Sequence, residues 1–371
     1  MDTRIPSLAD LGWDPGWAAA FLPHEAAGYL PARVIAAHRD VWIVATAHGS
    51  REAVIAGRLR HEARGPGDLP AVGDWIAITI AGEDDPAVVQ VVLPRRSAFR
   101  RYASARNRLP GARTGDQQVL AANIDVALLV AGLDGDFNVR RLERYLMVAH
   151  AGGAIPVVVL NKADVDADVE SQRLAAEAVS PGVRVHAVSA LEGTGVAALA
   201  EAHLRPGLTA VVLGSSGVGK STLVNALLGE ARQRTSAVRE EDAKGRHTTR
   251  HRELLVLPGG ALLVDTPGIR ALEVTGADEG IDEAFADVAA LATGCRFRDC
   301  RHEREPGCAV LTALGDGRLD GARFASYRKL EREAAHVARE SDPLARAEER
   351  RRWKAVTSSV SRHMQQKYGE S

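Results

Sequence analysis

Between residues 31 and 100 the apolar positions come in short alternating or β-rich runs: ARVIAAHRDVWIVAT, AVIAGRLRHEA, GDWIAITI and AVVQVVLP. Turn-forming stretches separate them, among them Gly49-Ser50, Gly65-Pro66-Gly67-Asp68 and Gly82-Glu83-Asp84-Asp85-Pro86. Close-spaced short strands with no helix-length pattern between them predict a small antiparallel barrel or sandwich. The span suits a five-stranded OB-like barrel, with an SH3-like barrel as the alternative. From 119 to 272 the texture changes. Continuous apolar runs (VALLVAGL, PVVVL, VRVHAVSA, TAVVL, LLVLP, ALLVD) alternate with helical stretches such as RRLERYLMVAHAG and STLVNALLGEA. That alternation predicts a mostly parallel sheet covered on both faces, an α/β domain.

After residue 273 no strand pattern returns, and the remainder predicts helices interrupted by a Cys/His cluster. The expected organisation is an N-terminal extension (1–30), an all-β OB-like barrel (31–100) and a basic linker (101–118). An α/β domain (119–272) and a helical C-terminal domain with a basic tail (273–371) follow.

Composition narrows the function classes. The 371 residues carry 47 Lys plus Arg against 48 Asp plus Glu, which excludes a globally basic nucleic-acid coat. Three cysteines exclude a disulfide framework and point to reduced thiols or metal ligands. The first residues lack a secretion-signal pattern, and no run of 18 apolar residues occurs. A soluble, cytoplasmic protein with no membrane partner is expected.

The chemistry starts at Gly214-Ser215-Ser216-Gly217-Val218-Gly219-Lys220-Ser221, followed by Thr222, which fits the phosphate-loop pattern GxxxxGK[ST]. It follows one apolar strand and opens a helix, the context the motif needs. Backbone N–H groups of such a loop curl around a β-phosphate, and the helix N-terminus favours the anion. Lys220 would reach the β- and γ-phosphates, and the Ser221 hydroxyl would bind Mg²⁺. Asn161-Lys162-Ala163-Asp164 sits at another strand end. A buried Asp164 would accept from guanine N1–H and the N2 amino group, a pair adenine lacks. Ser189-Ala190 stands where a second base-contacting loop belongs. Asp265-Thr266-Pro267-Gly268 ends the strand ALLVD, so Asp265 would hold Mg²⁺ through water and the Gly268 N–H would sense the γ-phosphate. In the polar segment between, Thr248 and Thr249 are the candidates to close on Mg²⁺, Thr249 being the assigned ligand.

These elements come in an unusual order. NKxD and SA precede the phosphate loop and DxxG, so the strands of the GTPase core must be circularly permuted. The switch elements then connect directly to whatever follows residue 272. Cys295, Cys300, His302 and Cys308 form C-x₄-C-x-H-x₅-C, a complete tetrahedral set for one structural Zn²⁺.

The permuted order, a β-domain before it and a Cys/His cluster after it resemble the bacterial ribosome small subunit-dependent GTPase A family (RsgA, also called YjeQ). The resemblance is carried by GDW (73–75), LPRRS (93–97), QVLAANID (118–125), DFNVRRLERYL (136–146), NKAD, GSSGVGKST, GRHTT (245–249), DTPG and CRFRDCRHEREPGCAV (295–310). It implies an OB barrel, a permuted GTPase domain and a zinc domain. It also implies GTP hydrolysis to GDP stimulated by the 30S subunit, late in that subunit's maturation. Arg250 departs from relatives with a third threonine there, which leaves the Mg²⁺ threonine open.

Ile269 stands where many GTPases have a water-orienting glutamine. Slow intrinsic turnover follows, with a group from elsewhere needed; His247 is nominated by its chemistry and by the resemblance. Lys220, His247 and Thr249 form the expected catalytic set. Arg95, Arg96, Arg100, Arg101, Arg106, Arg108 and Arg113 run without an acidic residue, with Phe99 and Tyr102 interleaved, a candidate surface for phosphate contact and stacking. The tail from Arg339 to Lys367 is a second basic stretch. Together they predict a monomeric, nucleotide-controlled clamp on 16S rRNA in the 30S subunit. Two alternatives stand beside it: an RNA-binding assembly scaffold with incidental turnover, and a permuted GTPase serving the 50S subunit.

Overall fold

A computed structural model describes residues 7–38, 41–82, 84–102, 117–229, 252–265 and 277–341. The first helix, α1 (Pro15–Glu25), is capped by Asp14, whose carboxylate accepts from the Trp17 N–H at 2.9 Å. It buries Trp17 and Phe21. Strands β1 (Leu30–Ala37), β2 (Trp42–Thr46), β3 (Gly49–Ile55), β4 (Trp75–Thr79) and β5 (Ala87–Val92) follow, with the short α2 (Gly57–Glu62) between β3 and β4. Their order is β1-β2-β3-β5-β4, and β4 pairs back onto β1 to close a barrel. The β3–β5 pairing is parallel and the others antiparallel, which selects the OB arrangement. Ala32, Val34, Val44, Ile76, Ile78 and Val89 fill its interior.

Strands β6 (Ala98–Tyr102) and β7 (Gln117–Ala122) pair antiparallel as a separate ribbon. The α/β region then runs β8 (Val126–Gly132), α3 (Val139–Ala151), β9 (Ile155–Asn161), α4 (Val169–Val179), β10 (Arg184–Val188) and α5 (Val196–His203). It continues with β11 (Thr209–Leu213), α6 (Lys220–Leu228), β12 (Arg252–Val256) and β13 (Leu262–Asp265). The strand order β10-β9-β8-β11-β13-β12 is parallel throughout except for the last pair. Successive residues of β8 and β9 feed opposite cores. Leu129, Val158 and Leu160 face α3 and α4, while Leu128, Val157 and Val159 face α5 and α6. That two-sided burial is why these strands read as unbroken apolar runs rather than alternating ones.

One feature escapes sequence patterning. The barrel and the α/β sheet are one sheet of 11 strands, joined where Ala36 and Ala37 of β1 pair with Glu253 and Arg252 of β12. The first half of β1 closes the barrel against β4, and the second half, still paired with β2, takes β12 on the edge that β4 leaves. An irregularity between Val34 and Ala36 marks the change of partner, as a bulge does when it bends a strand. Arg33 lies at the same junction with 2% of its surface exposed. It donates to the Gly73, Leu11 and Asn123 carbonyls and to Thr209 Oγ1 at 2.8 Å, tying extension, barrel and β11 together.

Four more helices follow among the described residues: α7 (Ala277–Ala284), α8 (Ala286–Ala292), α9 (Ala309–Gly315) and α10 (Gly321–Ser341). They share the core on the α3 side of the sheet through Phe285, Val288, Val310 and Leu330. Close approach of α7 to α3 needs Gly280, where a Cβ would lie 2.2 Å from the Met147 carbonyl oxygen. Among the described residues no helix is long and apolar enough to cross a membrane.

Candidate functional site

The C-terminal ends of β8, β9, β10, β11 and β13 meet at one edge of the parallel sheet, the place where open α/β sheets bind ligands. The phosphate loop leaves β11 and enters α6 at Lys220. Gly214, Gly217 and Gly219 hold φ values of +152°, +88° and +88°. These bends leave the loop backbone free to face an anion at the α6 N-terminus. Lys220 Nζ donates to the Gly214 carbonyl at 2.8 Å and to that of Ser215. Ser221 and Thr222 open α6, half-buried, while Ser216 and Gly217 are exposed.

Asn161 is the hinge pin of the site. Its Nδ2 donates to the Val218 carbonyl at 2.9 Å, and its Oδ1 accepts from the Ala190 N–H at 3.0 Å. One buried side chain therefore ties the end of β9, the phosphate loop and the Ser189-Ala190 loop. Gly219 is required beside it, because a Cβ there would fall 2.3 Å from Asn161 Nδ2. Ser189 is buried, and its Oγ accepts from the Glu192 N–H at 3.2 Å. Lys162 takes a left-handed conformation (φ +68°) and ion-pairs with Asp134. Asp164 lies exposed on the rim, not buried as expected from the sequence. Asp265 ends β13 next to β11, but its side chain, and all of His247, Thr248, Thr249, Gly268 and Ile269, lie outside the described residues.

Sequence patterning missed a cluster on the flank of the loop. Arg141 of α3 donates to both Asp136 oxygens, at 2.6 and 3.1 Å, and to Ser215 Oγ at 2.8 Å. The Ser215 hydroxyl donates to Asp136 at 3.1 Å. The Arg141 guanidinium holds the Asp136 carboxyl below the usual carboxylate range. The only signal was the string DFNVRR, in which Asn138 caps α3 by accepting from the Arg141 N–H at 3.0 Å.

Cys295, Cys300, His302 and Cys308 come together after α8, with their ligand atoms all within 4.8 Å of one another. The Cys295 and Cys308 sulfurs are 3.8 Å apart, and His302 Nδ1 is 3.3 and 3.6 Å from them. A tetrahedron with Zn–S bonds of about 2.3 Å has edges of about 3.8 Å, so the donor set fits one zinc ion. With four protein ligands no position is left for substrate. When bound, such an ion crosslinks the segment between α8 and α9.

The basic run behaves differently from its sequence pattern. Arg95 binds the fully buried Asp74 carboxylate with two bonds of 2.7 Å and also caps the Gly67 and Leu69 carbonyls. Arg96 is paired with Asp14 and lies 4.1 Å over the Trp17 ring. Phe99 is 1% exposed and packs against Gly152, so it offers no stacking surface. GDW and LPRRS thus join the barrel to its neighbours. Arg100 is exposed, and Arg101 reaches Gln118 at 3.1 Å. The Tyr102 side chain, Arg106, Arg108, Arg113 and the tail beyond residue 341 lie outside the described residues.

Comparison with known proteins agrees with this geometry. The family model described as RsgA GTPase matches residues 92–275. A small ribosomal subunit biogenesis GTPase RsgA of Opitutus terrae is 49% identical over 94% of this chain and 96% of its own length. The protein of that name from Streptomyces coelicolor is 44% identical over 94% and 92%. Among solved structures, YjeQ from Thermotoga maritima superposes with a TM-score of 0.60 at 25% identity, covering 83% of this chain and 99% of that one. YloQ, a circularly permuted GTPase, gives 0.58 at 23% identity over 83% and 96%, a likeness of fold.

Proposed function

Because this chain belongs to the RsgA GTPase family, we propose that it hydrolyses GTP on the 30S ribosomal subunit late in that subunit's maturation and leaves when hydrolysis is complete. The observation that carries this reading is the Asn161 junction, which brings the phosphate loop, the NKAD segment and the Ser189-Ala190 loop to one site. Loop N–H groups and Lys220 receive the β- and γ-phosphates. Asp164, on the exposed rim, is free to accept from guanine N1–H and N2. Ser221, Thr249 and, through water, Asp265 would hold Mg²⁺, which would neutralise phosphate charge. Gly268 senses the γ-phosphate, and Thr248 closes beside Thr249. His247 takes the water-orienting place that Ile269 cannot fill.

The small subunit is both activator and partner in this reading. The barrel, Arg100, the linker arginines and the zinc domain grip 16S rRNA, while the protein acts as a cytoplasmic monomer. The test is GTP hydrolysis alone and with 30S, 50S or 70S particles at matched salt. Strong stimulation by 30S alone is expected; equal rates in all mixtures would remove the small subunit as activator. Asp164→Asn should shift preference toward xanthosine triphosphate, and unchanged GTP affinity would reject the base assignment.

A further inference from the structure

The phosphate loop bends through three glycines with positive φ, and such residues carry the largest conformational freedom. Left to itself, a loop of that composition samples many shapes in which its N–H groups do not converge. Something must select one. Within the loop, Lys220 binds the carbonyls of Gly214 and Ser215, so the shape around Ser215 also fixes where the lysine starts. Ser215 is the first loop residue whose side chain can be gripped, and two α3-side groups grip it: Arg141 and Asp136.

We propose that Arg141 is a positioning residue of the phosphate loop: braced by Asp136, it clamps the Ser215 side chain and holds the loop in its phosphate-receiving shape. A planar guanidinium suits the task because one fork can bind both carboxylate oxygens and still reach the hydroxyl. The helix that carries it is itself anchored. Arg140 reaches Glu143 at 2.6 Å and Asp320 at 3.2 Å, and Arg144 pairs with Glu333 at 2.7 Å. Arg323 of α10 binds Glu143 at 3.0 Å. The clamp therefore references the loop to the C-terminal helices as well as to the sheet. Arg141 touches no reacting atom in this account; it acts through Ser215.

The inference rests on residues 214–222 being the phosphate loop, and the experiment separates the two claims. Binding of fluorescent GDP and steady-state GTP hydrolysis are measured for the full chain and for Arg141→Ala, Ser215→Ala, the double variant, Arg141→Lys and Lys220→Ala. Arg141→Ala should weaken GDP binding and raise KM by about tenfold, with kcat at saturating GTP within about twofold, the signature of lost ground-state binding. Ser215→Ala should lose a similar factor, and the double variant should be no worse than the worse single one, because both remove one clamp. Arg141→Lys, which keeps the charge but loses the planar fork, should recover part of the loss.

Multiplying effects in the double variant, or a fall in kcat at unchanged KM, would overturn the proposal. Lys220→Ala still binding nucleotide would remove the loop assignment and the clamp together. Lys220→Ala losing binding while Arg141→Ala binds like the parent would remove the clamp alone. If Arg141→Ala fails to fold, Asp136→Asn and Ser215→Ala carry the same comparison, since both leave the Asn138 cap of α3 intact.

Discussion

The barrel and the C-terminal helices are both attached to the GTPase core, but by opposite means. The barrel seam is backbone: β1 pairs with β12, and the buried Arg33 spends its donors on three carbonyls and a hydroxyl, with no ion pair of its own among the described residues although Asp125 and Asp74 are near enough to favour its charge. Burial lowers the Arg33 pKa to about 10, so it is still a cation at neutral pH, spread over neutral acceptors and 5.3 Å from the Trp75 ring centre. The C-terminal seam adds ion pairs to a shared apolar core. Arg323 forks onto Asp287 at 2.6 and 2.7 Å and onto Glu143, whose Oε2 is buried without a partner. Burial works against the Asp287 carboxylate, yet the Arg323 fork outweighs it and holds its pKa below the usual range. A seam of main-chain pairing has one geometry. A seam of charges with an unsatisfied acceptor is easier to shift, and it is the one that reaches Ser215 through α3.

The comparison can be broken most severely at the zinc cluster. Chelation, or Cys308→Ser, should unfold the segment between α8 and α9, because bound metal there is folding free energy. Hydrogen exchange should show α9 losing protection while β1 and β12 keep theirs; loss at both seams would mean they are one cooperative unit. Next is Arg33→Met, which takes the guanidinium from the Leu11 and Asn123 carbonyls and Thr209 Oγ1, while the Gly73 carbonyl keeps Asn123 Nδ2 at 3.0 Å. A loss of about 3–5 kcal/mol in urea unfolding is expected. Arg323→Met should cost about 2–4 kcal/mol by removing one of the two cations on buried Glu143 and the fork on Asp287, and adding Glu143→Gln should recover part of it. Additive losses in that pair would deny the coupling.

The smallest effect belongs to a pair at neither seam. His186 and His203 join β10 to α5 with their Nε2 atoms 2.8 Å apart. Burial first, then nearby positive charge, lowers both pKa values. The unfolded chain therefore binds more protons below about pH 6.5, so stability should fall as pH drops through that value toward the lowered folded ones. A thermal-unfolding series from pH 7.5 to 5 should be flatter for His203→Gln. An unchanged slope would place the acid sensitivity elsewhere.

Much of this architecture was legible in the chain. The phosphate loop, NKAD and the Cys/His spacing are local strings whose chemistry needs those residues in sequence, so they announce themselves. Arg95 and Phe99 did not. Their roles depend on Asp74 and Gly152, far away in sequence, and a run of arginines looks alike whether solvated or neutralised. Ala98 and Phe99 are buried in different clusters, Ala98 with Val119 and Ala122 and Phe99 in the main core, so both faces of the ribbon are covered there and no alternation shows. The β1–β12 pairing is two residues wide and more than 200 residues apart, too short and too remote to leave a periodic trace. The Arg141 clamp hid for a simpler reason: charged residues at the start of a helix are ordinary.

That narrow β1–β12 contact has a protective consequence. β12 ends the α/β sheet, and without β1 beside it the groups of Arg252 and Glu253 that now face the barrel would form part of an open edge, a template for docking another chain. The barrel lends the free edge of half a strand to cover it. A chain begun after the barrel should on this account be prone to self-association through the bared edge of β12.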